Sequence, residues 1–285
     1  MADVAADPAD ELWCVVVAAG SGTRFGGAKQ HVDLLGVTVL QRSLATARAV
    51  CDGVVVVVPD DDALRARAAS PGNADSPGNA DRPGNADRPG SADSPGNADS
   101  PADAAPIDGA DAVVAGGATR SASVANGLAA VPLSASVVLV HDAARPLASP
   151  DLFVRVADAV RGGADAAVPV VAMVDTVRDV RGGTLDRERL RAVQTPQGFR
   201  ADVLRSVHDG LAEATDDAAL VEAAGGSVVL VDGERSNLKI TEPSDLDVAA
   251  ALVARAERPG VGAPGVGAPG VGCDSASGAG GDLAP

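Results

Sequence analysis

The chain has 285 residues, of which 46% are hydrophobic, and a formal net charge of −16 at pH 7. A field of that sign does not attract phosphate backbones or anionic headgroups, so we expect binding neither to nucleic acid nor to a membrane surface. Only 1% of the residues are aromatic, so valine, alanine and leucine must fill any core.

The first predicted elements form a βαβ unit. Residues 1–11 are acidic and are expected to be disordered. Continuous apolar, β-branched runs predict strands at Trp13–Ala19 and Val54–Val58, and helical spacing predicts a helix over Thr38–Val50 between them. Such runs are typical of strands buried on both faces of a parallel sheet.

A glycine-rich loop follows the first strand and carries two cations, Arg24 and Lys29. Glycines let the backbone approach a ligand closely, so that N–H groups converge on phosphate oxygens while the cations neutralise them. The loop matches neither the GxxxxGK[ST] nor the GxGxxG pattern. It predicts a triphosphate cradle, and the alternative is an ordinary glycine turn with two solvated cations.

Two repeats interrupt the alternation of strand and helix. A hexapeptide of the SPGNAD type recurs five times over residues 70–99, and a PGVGA pentad repeats from Pro259. Proline and glycine at this density exclude helix and sheet, and neither repeat has an apolar face. We expect a disordered insertion at 70–105, a disordered tail at 257–285, and one domain over 12–256.

The second half of the domain continues the same alternation. Serine, proline and aspartate at 149–151 are typical of a helix start. Polar and β-forming residues over Asp175–Ala192 predict a hairpin arm that projects from the sheet. The remaining strands are predicted at Ala112–Ala115, Ser136–Val140, Ala166–Met173, Ser227–Val231 and Asn237–Thr241, and helices at Ser121–Val131, Ala201–Leu211, Ala218–Ala224 and Pro243–Ala256.

These elements predict an α/β fold: a doubly wound, mostly parallel, Rossmann-like sheet with a projecting β-arm for dimerisation. Ligands of such sheets bind at the carboxyl ends of the strands. Asp142 stands at such an end, where a divalent metal would bridge it to phosphates, although a strand-end aspartate is also a common turn former. The three histidines are dispersed, and the three cysteines include no CxxC pair, which favours a reducing, cytoplasmic location over a disulfide or zinc site.

Five motifs in order carry a family resemblance. They are AAGSGTR over 18–24 with Lys29, VHDAARP over 140–146, the pair Asp175-Thr176, TPQ over 195–197 and NLKITEPSDL over 237–246. Over 12–256, apart from the insertion, the chain resembles the 2-C-methyl-D-erythritol 4-phosphate cytidylyltransferase family of sugar nucleotidyltransferases. The resemblance implies transfer of CMP from CTP to methylerythritol phosphate, with release of pyrophosphate, in non-mevalonate isoprenoid biosynthesis.

The resemblance also implies roles for particular residues. Arg24 and Lys29 would hold the triphosphate and stabilise the transition state, and Mg2+ would bind at Asp142. The family implies a homodimer in which Thr176 and Arg187 reach across to the partner's acceptor site. The CTP site would include Ala18, Ala19, Gly20, Gly22, Gly117 and Ser123, and the acceptor site Asp142, Arg145, Thr176, Arg187 and Lys239.

Two alternatives remain open from the sequence. The acceptor could be another polyol phosphate, such as ribitol 5-phosphate, or the chain could bind nucleotide without catalysis. Many relatives are fused to a cyclodiphosphate synthase, and no such motif follows Ala256, so we expect a monofunctional chain.

Overall fold

The structure is a computed structural model that describes residues 10–20, 25, 27–69, 107–209, 214 and 216–257. The predicted disordered segments lie outside these residues, except that Asp10, Glu11 and Glu257 are described: Glu11 opens the first strand, and Glu257 caps the end of the last helix. None of the helices in the described ranges is long and apolar enough to cross a membrane.

The described strands form one mixed sheet. β1, β2, β3 and β4 pair in parallel, as do β5 and β8, whereas β7 is antiparallel to both β4 and β5, and β6 is antiparallel to β5. The strand order β3-β2-β1-β4-β7-β5 confirms the predicted doubly wound, mostly parallel α/β class. The strands are β1 (Glu11–Val17), β2 (Gly53–Val58), β3 (Ala112–Ala115), β4 (Ala135–Asp142), β5 (Ala166–Ala172), β6 (Arg191–Val193), β7 (Gln197–Arg200) and β8 (Val228–Asp232).

Helices cover both faces of the sheet. They are α1 (Val39–Val50), α2 (Asp60–Ala69), α3 (Arg120–Ala129), α4 (Pro150–Arg161), α5 (Ala201–His208), α6 (Asp217–Ala223) and α7 (Pro243–Ala256). One core cluster packs α1 and α4 against the sheet, and a second packs α3, α5 and α6 against the opposite face. The start of α4 is as predicted, because the Ser149 hydroxyl accepts the Leu152 N–H at 3.1 Å and Pro150 is the first helical residue.

One predicted strand is wrong. Residues 237–241 form no strand, because their polar groups bond to loops instead of a neighbouring strand. The Ile240 N–H donates to the Ala144 carbonyl at 2.8 Å, and the buried Asn237 side-chain amide donates to the Thr195 carbonyl at 2.9 Å. The segment therefore lies across the end of β4 and is held there by these hydrogen bonds.

Short antiparallel elements were missed. β6 and β7 have three and four residues and flank Pro196, which leaves no periodicity to detect. The projecting β-arm is not confirmed: within residues 175–190 the structure has one antiparallel bridge, Arg178 to Thr184, and a single 3-10 turn at Arg187–Arg189. The helix predicted to reach Leu211 ends at His208, and residues 210–213 lie outside the described ranges.

Candidate active site

The candidate site lies where β1 and β4 end side by side. Val17 and Asp142 are partners in the parallel register, and the Ala143 N–H donates to the Val17 carbonyl at 3.0 Å. The Ala18 N–H donates to the Val57 carbonyl at 2.7 Å. Because Val17 is the partner of Asp142, the glycine-rich loop begins directly beside Asp142. The predicted loop and the predicted carboxylate are thus brought together.

The described part of the glycine-rich loop ends on a lysine. Gly20 is exposed, with open space at its Cα, and Gly22 and Arg24 lie outside the described residues. Lys29 begins a single 3-10 turn, and its Nζ donates to the carbonyl of Ile240 at 2.9 Å. This bond joins the loop to the segment that carries Lys239.

A second glycine loop packs against the first. A Cβ on Gly116 would lie 2.3 Å from the Ala19 Cβ, and one on Gly117 would lie 2.5 Å from the Ala122 Cβ, so neither position has room for a side chain. The Gly117 N–H donates to the Ser123 hydroxyl at 3.1 Å, and that hydroxyl donates to the Thr119 carbonyl at 2.9 Å. Because the Ser123 hydrogen is used inside the loop, its contact with a base stays a prediction.

Asp142 is buried among cations. Its Oδ2 accepts from Lys239 Nζ at 2.7 Å, and its Oδ1 lies 3.8 Å from Arg120 Nε. Burial alone would raise the pKa of Asp142, but the positive charges of Lys239, Arg120 and Arg145 outweigh it and lower the pKa to about 2. The carboxylate is therefore ionised throughout the physiological range.

Arg145 connects two backbone segments beside Asp142. Its Nη1 donates to the Asn237 carbonyl at 2.8 Å and its Nη2 to the Val193 carbonyl at 3.2 Å. Its Nε is buried without a hydrogen-bond partner among the described residues, and burial lowers the pKa of the guanidinium. Arg145 thus ties the 237–241 segment to the end of β6 and keeps one donor unused.

His141 lies behind Asp142 and is fully buried. Its Nδ1 is 3.2 Å from the Thr195 hydroxyl and its Nε2 is 3.2 Å from the Arg145 carbonyl, and the ring packs on Phe153 at 5.0 Å. Burial, aided by Arg145, lowers its pKa to about 4, although Asp142 opposes this change. The imidazole is therefore neutral at physiological pH and enclosed by the protein.

The structure does not join the arm residues to this site. Thr176 and Arg187 are exposed, and Arg187 Nη1 donates to the Val174 carbonyl at 2.8 Å. Among the described residues, no hydrogen bond or ion pair links either side chain to Asp142, Arg145 or Lys239.

Sequence reasoning missed several residues around the site. Arg120 stands inside the Gly116–Ser123 segment, but no role was assigned to it there. Asn237 and Thr195 belong to quoted motifs, yet only the structure reveals that they fasten the site from behind. Asp217, the buried partner of Arg120, had no sequence signal because the two residues are 97 positions apart.

Comparison with known proteins identifies relatives over most of the chain. A family model described as 2-C-methyl-D-erythritol 4-phosphate cytidylyltransferase matches residues 98–255, and a MobA-like NTP transferase domain matches residues 14–78. A curated 2-C-methyl-D-erythritol 4-phosphate cytidylyltransferase from Rubrobacter xylanophilus is 38% identical over 256 residues, covering 86% of this chain and 96% of that protein.

Longer and solved relatives agree. A bifunctional enzyme IspD/IspF from Clavibacter michiganensis is 41% identical over 263 residues, and the match spans 89% of this chain but 57% of that longer protein. The crystal structure of the 2-C-methyl-D-erythritol 4-phosphate cytidylyltransferase from Thermus thermophilus superposes with a TM-score of 0.62 at 36% identity, covering 86% of this chain and 99% of that one. The chain therefore belongs to the 2-C-methyl-D-erythritol 4-phosphate cytidylyltransferase family.

Proposed function

We propose that the protein transfers CMP from CTP to 2-C-methyl-D-erythritol 4-phosphate and releases pyrophosphate, as a step of isoprenoid biosynthesis. One observation supports the proposal beyond family membership. The two lysines that are expected to bind different substrates both contact the 237–241 segment or belong to it. Lys29 Nζ donates to the carbonyl of Ile240, and Lys239, the preceding residue, binds Asp142. A triphosphate on the glycine loop and a phosphate at Lys239 would thus be neighbours.

The positively charged side chains of the candidate site suit the chemistry of this reaction. A phosphate monoester has a second pKa of about 6, so the attacking oxygen is already ionised at neutral pH and needs no general base. The barrier lies in bringing two anions together and in charge that develops on the α-phosphate and the departing pyrophosphate. Lys29, with Arg24 on the same loop, would stabilise that charge, and Lys239 and Arg145 would orient the acceptor phosphate.

Nucleotidyltransferases of this family generally use a divalent metal ion, and we propose magnesium here. Among the described residues, no group of three or more histidine, cysteine or acidic side chains could enclose a metal. Magnesium does not require one, because it retains water and binds one or two carboxylates together with substrate phosphates. Asp142 would hold it through Oδ1, which accepts no hydrogen bond from the residues that the structure describes, although Arg120 Nε lies 3.8 Å away. The metal would neutralise phosphate charge.

We also propose a homodimer built on the 175–192 segment. Val180 is 98% exposed and Leu185 is 42% exposed, and apolar side chains so open to water are typical of surfaces that a partner covers. Thr176 and Arg187 lie on the same segment, and a twofold axis would bring each to the partner's acceptor site. We place the reaction in the cytoplasm, because the three cysteines are odd in number and include no CxxC pair.

A direct assay tests the function. The purified protein is given methylerythritol 4-phosphate and each of the four nucleoside triphosphates in turn, with Mg2+ or with excess chelator, and pyrophosphate release is measured. We expect release with CTP and Mg2+, and loss of activity with chelator that added Mg2+ restores. Activity with ribitol 5-phosphate but not with methylerythritol 4-phosphate would overturn the proposal.

A further inference from the structure

Arg120 links the candidate site to a carboxylate deep in the protein. It is the first residue of α3, and its side chain is 26% exposed. Its Nη1 donates to Asp217 Oδ2 at 2.7 Å, while its Nε faces Asp142 Oδ1 at 3.8 Å. One guanidinium therefore spans a core carboxylate and the carboxylate of the site.

Asp217 has no contact with solvent. Its side chain is 0% exposed, and its second oxygen lies 3.1 Å from Nε2 of the buried His208. A buried carboxylate is costly unless it is paired and hydrogen-bonded, so Asp217 holds the guanidinium firmly. Burial would raise the pKa of Asp217, but His208 and Arg120 lower it, which keeps the carboxylate charged.

The two cations on Asp142 differ in their freedom to leave. Lys239 is 46% exposed and ends in a single ammonium on a flexible chain, so it can turn towards an incoming phosphate. Arg120 cannot follow, because leaving would abandon the charge of Asp217. Without the charge of Arg120, an acceptor phosphate would compete more strongly with that buried carboxylate for Lys239.

Resting on the proposed function, we propose that Arg120 is a positioning residue: anchored by Asp217, it remains a counter-ion of Asp142 while Lys239 is released to the acceptor phosphate. Arg120 touches neither substrate in this scheme and acts through Asp142. It also ties the carboxylate that faces the acceptor to the helix that follows the glycine loop at 116–117.

The test uses the full-length protein and starts from the wild type. Steady-state kcat and KM for methylerythritol 4-phosphate are measured at saturating CTP and Mg2+, with the melting temperature recorded for every variant. An inactive wild type overturns the proposed function and this inference with it. An active wild type isolates the inference.

Four variants are then compared: Arg120→Gln, Arg120→Lys, Asp142→Asn and the double variant Arg120→Gln/Asp142→Asn. We expect Arg120→Gln to raise the acceptor KM about tenfold, and to have much less effect when Asp142 is already asparagine, because the two residues act on one interaction. Effects that multiply independently, or an acceptor KM within twofold of wild type in folded Arg120→Gln, would overturn the inference.

The lysine variant separates positioning from support of the fold. A single ammonium can neutralise Asp217 but cannot bridge two carboxylates as a planar guanidinium does. Arg120→Lys should therefore retain the wild-type melting temperature while the acceptor KM stays raised, and this comparison stands even where Arg120→Gln fails to fold. Full recovery of both quantities by lysine would assign Arg120 a structural role only.

Discussion

The hydroxyl of Thr195 accepts the backbone N–H of Asp142 at 3.0 Å. The same oxygen lies 3.2 Å from Nδ1 of His141, where it donates to the neutral ring. Thr195 lies just before β7, the strand beside β4, and its hydroxyl thus fixes the position of Asp142, the last residue of β4. The carboxylate of the site is positioned by its main chain as well as by its charge partners.

We predict that Thr195→Val destabilises the protein by about 1–3 kcal/mol, because the buried Asp142 N–H and the His141 ring each lose a partner while the shape is preserved. Urea unfolding measures this change, and Thr195→Ser, which retains the hydroxyl, serves as the matched control. Equal free energies of unfolding for the valine variant and the wild type would contradict the prediction.

Removing Lys29 should affect turnover more than folding. We expect Lys29→Ala to lower kcat by about a hundredfold or more, as for other groups whose contacts strengthen in the transition state, with little change in melting temperature. The same loss is expected for Arg24→Ala. Arg48→Ala removes a surface cation paired with Asp111 and is the control. Near-normal kcat in either loop variant would reject the proposed phosphate contacts.

The stability of the protein should fall on mild acidification because of His141. Its pKa is lowered from 6.5 to about 4, so the fold favours the neutral ring. That contribution is fully present above pH 6.5 and is lost as the pH falls towards 4, and it amounts to about 3 kcal/mol over the whole interval. Asp142 titrates lower, with a pKa lowered from 3.8 to about 2, so it contributes to the pH dependence only below this range.

The measurement compares the free energy of unfolding at pH 7 and at about pH 4.5. The wild type and His31→Gln, which changes a half-exposed histidine, should lose stability alike. His141→Gln should lose much less over the same interval. An unchanged pH dependence in His141→Gln would mean that another group carries it.

The proposed sharing of active sites between two subunits predicts complementation between inactive chains. Arg187→Ala and Lys29→Ala chains are each expected to be inactive, yet after subunit exchange some heterodimers would hold one site with both residues intact. We expect part of the activity to return on mixing. Confirmed exchange without recovery, or an active monomer in sedimentation, would refute the shared site.

The sequence predicted the parts of this molecule that depend on local pattern. β2, with its run of five valines, and α4, with its capping serine, have strong signals, and Asp142 was placed correctly at a strand end. The segment at 237–241 resembled a strand because Leu238 and Ile240 alternate with polar residues. Its true conformation depends on Ala144 and Thr195, which are distant in sequence.

Ion pairs between residues that are distant in sequence could likewise not be predicted. Arg120 lies between Gly117 and Ser123, which the family resemblance assigned to the CTP site, but its partner Asp217 sits at the start of α6 with nothing to distinguish it from neighbouring Asp216. Only the packing of α3, α5 and α6 decides which of the two carboxylates is buried against the guanidinium. The resemblance at Gly117 and Ser123 therefore indicated this part of the site, whereas the packing of the helices determines the charges around it.

Lys29 and Lys239, which meet around Ile240, are also the only two lysines in the 285-residue sequence. Both lysine amines of the protein thus belong to the candidate site. Each already donates a hydrogen bond, Lys29 to Ile240 and Lys239 to Asp142, and would exchange that bond for one to an arriving phosphate. Selective 15N labelling of lysine would yield two Nζ signals, each assigned by a single substitution. In the unsubstituted protein, their separate responses to CTP and to the acceptor would report which amine meets which substrate.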